Sequence, residues 1–226
     1  MVGVTPFVMH ASGAVTVFPP VQGRTSGSTS VLTANPVLDL SALPRDEGNV
    51  LVLVFRSQST THSGPSGWTH RGTHAVTTSL DDDKVSVYTK VASSSESASQ
   101  AFTQSGSDRC GWTCIEVSGV ATSEGAWFAI EMGDGLDPPS VTIPWGALAN
   151  RLITSASVGA SSNTLTAPSG YVNQIDGASE TSTAATRVRV ATADRADEVA
   201  TENPAAWNES GTTFHPASVT IALRPA

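Results

Sequence analysis

Three adjacent carboxylates, Asp81, Asp82 and Asp83, form the densest acidic cluster in the chain and stand directly before Lys84. Clustered oxygen ligands are what Ca²⁺ prefers in proteins. Adjacent side chains of an extended segment point in opposite directions, so the three carboxylates converge only where the loop curls. We therefore expect a solvated loop, with Ca²⁺ binding as the alternative, and we take all three residues as candidates for a binding site.

Catalytic residues are sought next among the histidines and glutamates. His70 and His74 are four residues apart, but no third ligand accompanies them and the region is not a predicted helix. Glu116 and Glu131 interrupt apolar strands, and a glycosidase needs two carboxylates about 5 to 10 Å apart across a cleft. The sequence does not place them opposite each other, and no nucleophile elbow, phosphate loop or zinc-helix motif occurs. These observations predict a protein without catalytic activity, cofactor or bound metal.

Aromatic side chains offer a different chemistry, because flat rings stack on the apolar faces of sugars. The five tryptophans are Trp68, Trp112, Trp127, Trp145 and Trp207. Trp68 ends the phrase PSGW at 65–68, which returns as PSGY, ending in Tyr171, 103 positions later. A duplicated position indicates a duplicated packing role, so Trp68 and Tyr171 are expected in the core. Trp127 and Trp145 lack an aromatic counterpart and are the better candidates for surface binding.

The echo at 103 residues extends along most of the chain and indicates an internal duplication. The clearest matches at this offset are Leu53 with Ala156, Val85 with Val188 and Val87 with Val190. With two further residues of shift, Phe102 matches Trp207, Gly106 matches Gly211 and Cys114 matches Val219. Each half then contains the same order of extended segments and turns.

The periodicity of apolar residues in these segments predicts β-strands. Residues 50–55 (VLVLVF) are apolar at every position, which predicts a strand covered on both faces, and residues 84–91 (KVSVYTKV) alternate. The predicted fold is all-β: two related antiparallel β-sandwich or jelly-roll-like modules at 31–122 and 123–226. The alternative is one large continuous β-sandwich. Residues 1–30 are expected to form an N-terminal arm or added strand, with a flexible Gly/Ser/Thr-rich connector.

Charge and hydropathy narrow the range of partners. A net charge of −8 argues against nucleic acid and anionic membranes as partners. The longest apolar run has six residues, which excludes membrane insertion by a helix, and no pattern typical of a signal peptide stands at the N-terminus. Cys110 and Cys114 are predicted as small buried residues on one strand face, unless a turn at Gly111 lets them form a disulfide.

The succession LVLVF, PSGW, VSVYTKVA and CGWTCIEVSGV, followed by APSGY, VRVATA and a final LRP, resembles β-sandwich modules of tailed-bacteriophage virion accessory proteins. The resemblance spans about residues 36–225, and its motifs are structural. It implies a non-enzymatic virion protein, tail- or baseplate-associated or a capsid decoration protein, made in the host cytoplasm without a signal peptide. It also implies other virion proteins as partners, a homo-oligomer within the assembly and a host-surface glycan as a further partner. The competing interpretations are a secreted carbohydrate-binding module and a polysaccharide-degrading enzyme.

Overall fold

The computed structural model describes residues 17–29, 32–59, 61–77, 82–123, 125–159, 163–178, 188–211 and 215–226. The fold is all-β, as predicted, and its two large sheets are both five-stranded and antiparallel.

The first sheet has the strand order β1-β9-β3-β6-β5, and two small two-stranded sheets, β2-β7 and β4-β8, accompany it. The strands of this half are β1 (Val21–Ser28), β2 (Val37–Asp39), β3 (Val50–Ser57), β4 (His62–Ser63), β5 (Thr69–Thr77), β6 (Asp82–Val91), β7 (Ser99–Ala101), β8 (Thr103–Gln104) and β9 (Cys110–Val117). The alternative of an added strand within residues 1–30 is confirmed by β1, which pairs with β9. The prediction of a flexible Gly/Ser/Thr-rich connector is wrong, because most of that segment belongs to β1.

The second sheet has the order β10-β18-β12-β15-β14, with the small sheets β11-β16 and β13-β17. Its strands are β10 (Phe128–Asp134), β11 (Val141–Thr142), β12 (Asn150–Gly159), β13 (Leu165–Thr166), β14 (Val172–Ala178), β15 (Val188–Asp197), β16 (Thr201–Glu202), β17 (Asn208–Glu209) and β18 (Ala217–Leu223). Each strand of one half has one counterpart in the other, and every pairing is repeated. The strand order therefore shows the duplication that the sequence predicted.

Strand register tests the sequence matches residue by residue. Leu53 lies opposite Tyr88, and Ala156 lies opposite Ala191, so the offset of 103 holds across this pair of strands. The match of Cys114 with Val219 is wrong by one residue: Leu53 also opposes Cys114, whereas Ala156 opposes Ser218. Every residue of both closing strands is buried, so no alternation in the sequence marks which face each side chain occupies.

The two large sheets pack face to face and share one inner core. Strand β3 is apolar throughout because its alternate side chains enter two different cores. Its inner residues join a cluster with residues of the second half, and its outer residues join a cluster confined to the first half. The inner cluster includes Val50, Val52, Val54, Val85, Val87, Ile115, Ile153, Val190, Val219 and Ile221. The halves thus share a continuous core, and each has in addition an outer core of its own.

The packing of the halves resembles that of two subunits in a twofold dimer. Strand β1 packs on β14, and its counterpart β10 packs on β5, the counterpart of β14. At the first contact the backbones approach closely: a Cβ on Gly177 would lie 2.3 Å from the carbonyl oxygen of Trp112 and 2.6 Å from that of Gly27. Ser28 Oγ donates to the Ala178 carbonyl at 2.7 Å. Glycine at 177 therefore permits this end of the interface.

Two buried charged groups link the halves, Arg56 through a hydrogen bond to the second half and Asp194 through an ion pair with the first. Arg56 of β3 is fully buried and pairs through Nη2 with Asp83 Oδ2 at 2.5 Å, while Nη1 donates to the carbonyl of His215 at 2.7 Å. Asp194, also fully buried, pairs with Arg24 of the first half at 2.5 Å and with Arg151 at 3.0 Å. Each of these charges has an oppositely charged partner, and the contacts of Arg56 with the His215 carbonyl and of Asp194 with Arg24 join the two halves.

Cys110 and Cys114 are both buried and free, and they belong to the outer core of the first half. The prediction of two small buried residues is confirmed. Burial raises the pKa of the Cys110 thiol to about 11, and burial also raises the pKa of the Cys114 thiol. Both thiols are therefore protonated at neutral pH.

Candidate functional site

The repeated corner is a turn built identically in both halves. The Trp68 N–H donates to the Pro65 carbonyl at 3.2 Å, and the Tyr171 N–H donates to the Pro168 carbonyl at 3.1 Å. Gly67 has φ +81°, the left-handed value that the third residue of a type II turn requires. The prediction of a core position is confirmed for Tyr171, which is buried, but holds only in part for Trp68, which packs partly buried at the edge of the outer core.

A β-bulge follows the corner and changes which side chains share a face. In the register of β5 with β6, His70 opposes Tyr88 and Gly72 opposes Val87, so Arg71 is the extra residue. His70 and Thr73 consequently lie on the outer face of the sheet. His74 lies on the inner side, where its Nε2 contacts Asp134 Oδ1 at 2.9 Å. The structure therefore separates the two histidines that the sequence suggested as a pair.

A cavity of about 310 Å³ opens on this outer face. Its lining combines aromatic rings, imidazoles and hydroxyls, and includes no Asp, Glu, Lys or Arg among the described residues. The lining residues are His62, Ser63, Gly64, Trp68, His70, Thr73 and Tyr88. We refer to it as the Trp68 cavity.

A chain of hydrogen bonds runs along one side of the Trp68 cavity. His70 Nε2 lies 2.7 Å from Thr73 Oγ1, which lies 2.6 Å from Ser86 Oγ, which in turn lies 2.8 Å from His62 Nε2. The phenol of Tyr88 also hydrogen-bonds to the Ser86 side chain and to the backbone of Gly64. Two imidazoles are thus connected through two hydroxyls, which can each act as donor or acceptor.

His62 is neutral at pH 7. Burial, together with the smaller effects of the charges of Lys84 and His70, lowers its pKa to about 4. The ring packs edge-on against Phe55, with the ring centroids 5.0 Å apart. Its Nδ1 is buried and has no hydrogen-bond partner among the described residues. The imidazole therefore supplies polarity without charge.

The tryptophan wall is held in orientation by a second set of contacts. Trp68 Nε1 donates to Gln100 Oε1 at 3.2 Å, and Gln100 Nε2 donates to Glu96 Oε1 at 2.9 Å and to the Ser97 carbonyl at 2.8 Å. On the opposite side, a Cβ on Gly64 would lie 2.5 Å from the Tyr88 ring. Glycine is what lets the loop backbone close against the phenol.

The second half has the same corner, but it has apolar residues where His62 and Tyr88 line the Trp68 cavity in the first half. At the offset of 103, His62 corresponds to Leu165 and Tyr88 to Ala191, both in its outer core. There the side chain of Gln174 bridges the backbone, accepting from the Ala167 N–H at 2.8 Å and donating to the Leu165 carbonyl at 2.7 Å. The fold therefore does not require the histidine and tyrosine of the first half. This difference between the repeats was readable in the sequence and is the signal that sequence analysis missed.

The acidic cluster is divided by the structure. Asp81 lies outside the described residues, and β6 begins at Asp82, whose side chain is likewise outside the description. Asp83 is buried and paired with Arg56. The expected solvated loop is wrong for Asp83, because a guanidinium 27 residues away in the chain supplies its counter-charge.

Trp127 and Trp145 lie apart from the Trp68 cavity and are both partly buried. Trp127 packs against the inner core, and the guanidinium of Arg71 lies 4.6 Å from its ring centroid. Trp145 packs against the outer core of the second half, and its Nε1 donates to Asn150 Oδ1 at 2.6 Å. Each ring already has a packing role in the structure.

Glu116 is fully buried, and its carboxylate binds the loop before β3. It accepts from the backbone N–H of Arg45 at 2.7 Å, from that of Asp46 at 2.9 Å and from Asn49 Nδ2 at 2.7 Å. Glu131 is exposed on β10. A carboxylate so fully occupied by structural donors is not the partner that a glycosidase pair requires.

Within the described ranges, no three His, Cys, Asp or Glu residues group closely enough to hold a metal ion. Nor does that part of the chain include a helix long and apolar enough to cross a membrane.

Comparisons of the chain with protein-family models, with curated proteins and with solved structures find no match.

Proposed function

We propose that this chain is a non-enzymatic structural protein of a bacteriophage virion, exposed on the particle surface as a tail- or baseplate-associated protein or a capsid decoration protein. The observation that carries the proposal is the packing of two jelly-roll-like halves into one body, with the inner sheet faces buried against each other and each outer face bearing its own core. Such a body is a support whose exposed loops are available for adhesion. The resemblance of its motifs to phage accessory modules supports the same assignment.

A surface for subunit adhesion lies where the described chain begins and ends. An open hollow of about 480 Å³ exposes more polar than apolar surface, with Glu198 in its lining, and it includes two exposed apolar side chains: Val17 is 69% exposed and Leu148 is 38% exposed. The C-terminal Ala226 lines the same hollow. Residues 1–16 precede it in the chain, lie outside the described residues and contain no Asp, Glu, Lys or Arg. This end of the molecule is where a neighbouring virion subunit packs in the proposal.

The experiment is a reconstitution. Purified chain is added to particles of the same phage that lack it, and the amount that co-sediments with them is measured. The native chain is expected to saturate the particles. Leu148→Glu should weaken co-sedimentation about tenfold, because it removes an exposed apolar side chain and adds a second carboxylate to a hollow that Glu198 also lines. As a matched control, Leu32→Glu changes another exposed leucine, 58% exposed and outside the hollow, and should bind normally. Chain that stays in the supernatant at every concentration would contradict the proposal.

A further inference from the structure

We propose that the Trp68 cavity binds one neutral sugar residue of a glycan. This inference deepens the proposed function. That the glycan belongs to a host surface rests on the proposed function. The cavity itself is argued from its lining.

The first argument is the combination of surfaces. A sugar ring has an apolar C–H face and a rim of hydroxyls, and ligand cavities pair aromatic walls with a few placed polar groups. Here the indole of Trp68 is held by Gln100, while the hydroxyl of Thr73 and the imidazoles of His62 and His70 stand on the cavity's other walls. The cavity volume of about 310 Å³ is near the lower end for ligand sites, as a single sugar residue requires.

The second argument is the absence of charge in the lining. The seven described lining residues include no carboxylate, ammonium or guanidinium, and burial keeps His62 neutral at pH 7. Phosphate and carboxylate ligands are recognised through Arg, Lys or clustered N–H donors. A neutral polyhydroxylated ligand therefore matches this lining better than an anion.

The third argument is the comparison of the two repeats. The turn, the strand pairings and the aromatic corner are the same in both halves, yet Leu165 and Ala191 stand where His62 and Tyr88 line the cavity. His62 also keeps a buried Nδ1 without a partner among the described residues, which costs free energy that a leucine would avoid. A binding role accounts for polar groups that packing alone does not need.

The test follows the indole N–H resonances of the full chain by NMR, because five tryptophans give five resolvable probes. They are assigned by single Trp→Phe variants. The probes added are the methyl glycosides of glucose, mannose, galactose and N-acetylglucosamine, each singly. At least one should shift the Trp68 resonance saturably, with a dissociation constant on the order of 1 mM, because a ligand of this size makes few contacts.

Two variants of the same strand locate the binding. His70→Ala removes an exposed lining residue and should weaken the affinity about tenfold, which corresponds to the loss of one hydrogen bond. His74→Ala changes the same residue type on the opposite face of β5 and should bind as the native chain does. Both variants should keep the spectrum of the folded protein.

Several results would overturn the inference. One is that no glycoside shifts Trp68 saturably, and another is that the saturable shift falls on Trp127 or Trp145. A third is that inorganic phosphate shifts Trp68 more strongly than any glycoside, which indicates an anion site. If the chain co-sediments with particles but fails these titrations, the sugar-site proposal is contradicted and the virion assignment stands. If the chain binds a glycoside but no particle, the virion assignment is contradicted and the sugar-site proposal stands.

Discussion

At the scale of single residues, His62 shows how burial changes chemistry. In the unfolded chain a histidine titrates near 6.5, whereas folding lowers the pKa of His62 to about 4. Between these values the unfolded state takes up a proton that the folded state does not. The contribution of His62 to stability is therefore fully present above pH 6.5 and falls as the pH falls toward 4.

This predicts an acid-dependent loss of stability of up to about 3 kcal/mol between pH 6.5 and 4 that His62→Leu removes. Leucine is the residue that the second half has at the corresponding position. The measurement is the free energy of unfolding in urea at several pH values, compared between the native chain and the variant. Equal pH slopes in the two proteins would show that His62 titrates normally in the folded state.

Asp83 gives a second prediction at this scale. Asp83→Ala leaves the fully buried Arg56 without its counter-charge and should destabilise the protein by about 3 to 5 kcal/mol, measured by urea unfolding. The matched control is Asp134→Ala, which removes an exposed carboxylate from His74 and should cost less than about 1 kcal/mol. Similar losses in the two variants would mean that the Arg56 pair is not buried as described.

At the scale of elements, close backbone approach decides where the halves meet. The Cβ of Gly177→Ala would lie 2.3 Å from the backbone oxygen of Trp112, so β14 must move away from β1 and β9. We expect a loss of about 1 to 3 kcal/mol in the free energy of unfolding. Gly125→Ala is the control, since no atom lies within 4 Å of its Cβ, and it should leave stability nearly unchanged. A Gly177→Ala variant as stable as the native chain would contradict the described packing.

The elements also show what the sequence can and cannot predict. The apolar run at 50–55 and the alternation at 84–91 predicted β3 and β6, because the pattern of buried side chains along a strand is visible as a pattern of apolar residues in the sequence. The Gly/Ser/Thr-rich part of β1 was predicted as a connector, because an edge strand of these residues pairs through its backbone and leaves no hydrophobic pattern in the sequence.

The candidate site was less predictable than the fold. The bulge at Arg71 reverses the side-chain alternation of β5, so a regular period of two puts His70 on the wrong face relative to Thr73 and His74. The burial of Asp83 depends on its ion pair with Arg56, and no local sequence pattern predicts that contact. Only the contrast of His62 with Leu165 between the repeats was visible in the sequence.

At the scale of the whole molecule, the shared inner core predicts that both halves unfold together. Val54 of the first half and Val190 of the second belong to the same buried cluster, and Asp194 pairs with Arg24 across the interface. Unfolding in urea followed by tryptophan fluorescence and by far-ultraviolet circular dichroism should give one coincident transition. Two separated transitions would show that the halves are independent modules.

The central claim, that this body is a virion surface protein, is tested most directly by locating the native chain in intact particles. Particles of the phage proposed as its source are purified through a density gradient, and the chain is quantified by mass spectrometry beside the major capsid protein. The account predicts that the chain bands with the particles in a constant ratio to the capsid protein and that antibodies against it label their surface. A chain found only in the soluble fraction of the lysate, with no label on the particles, would contradict the account.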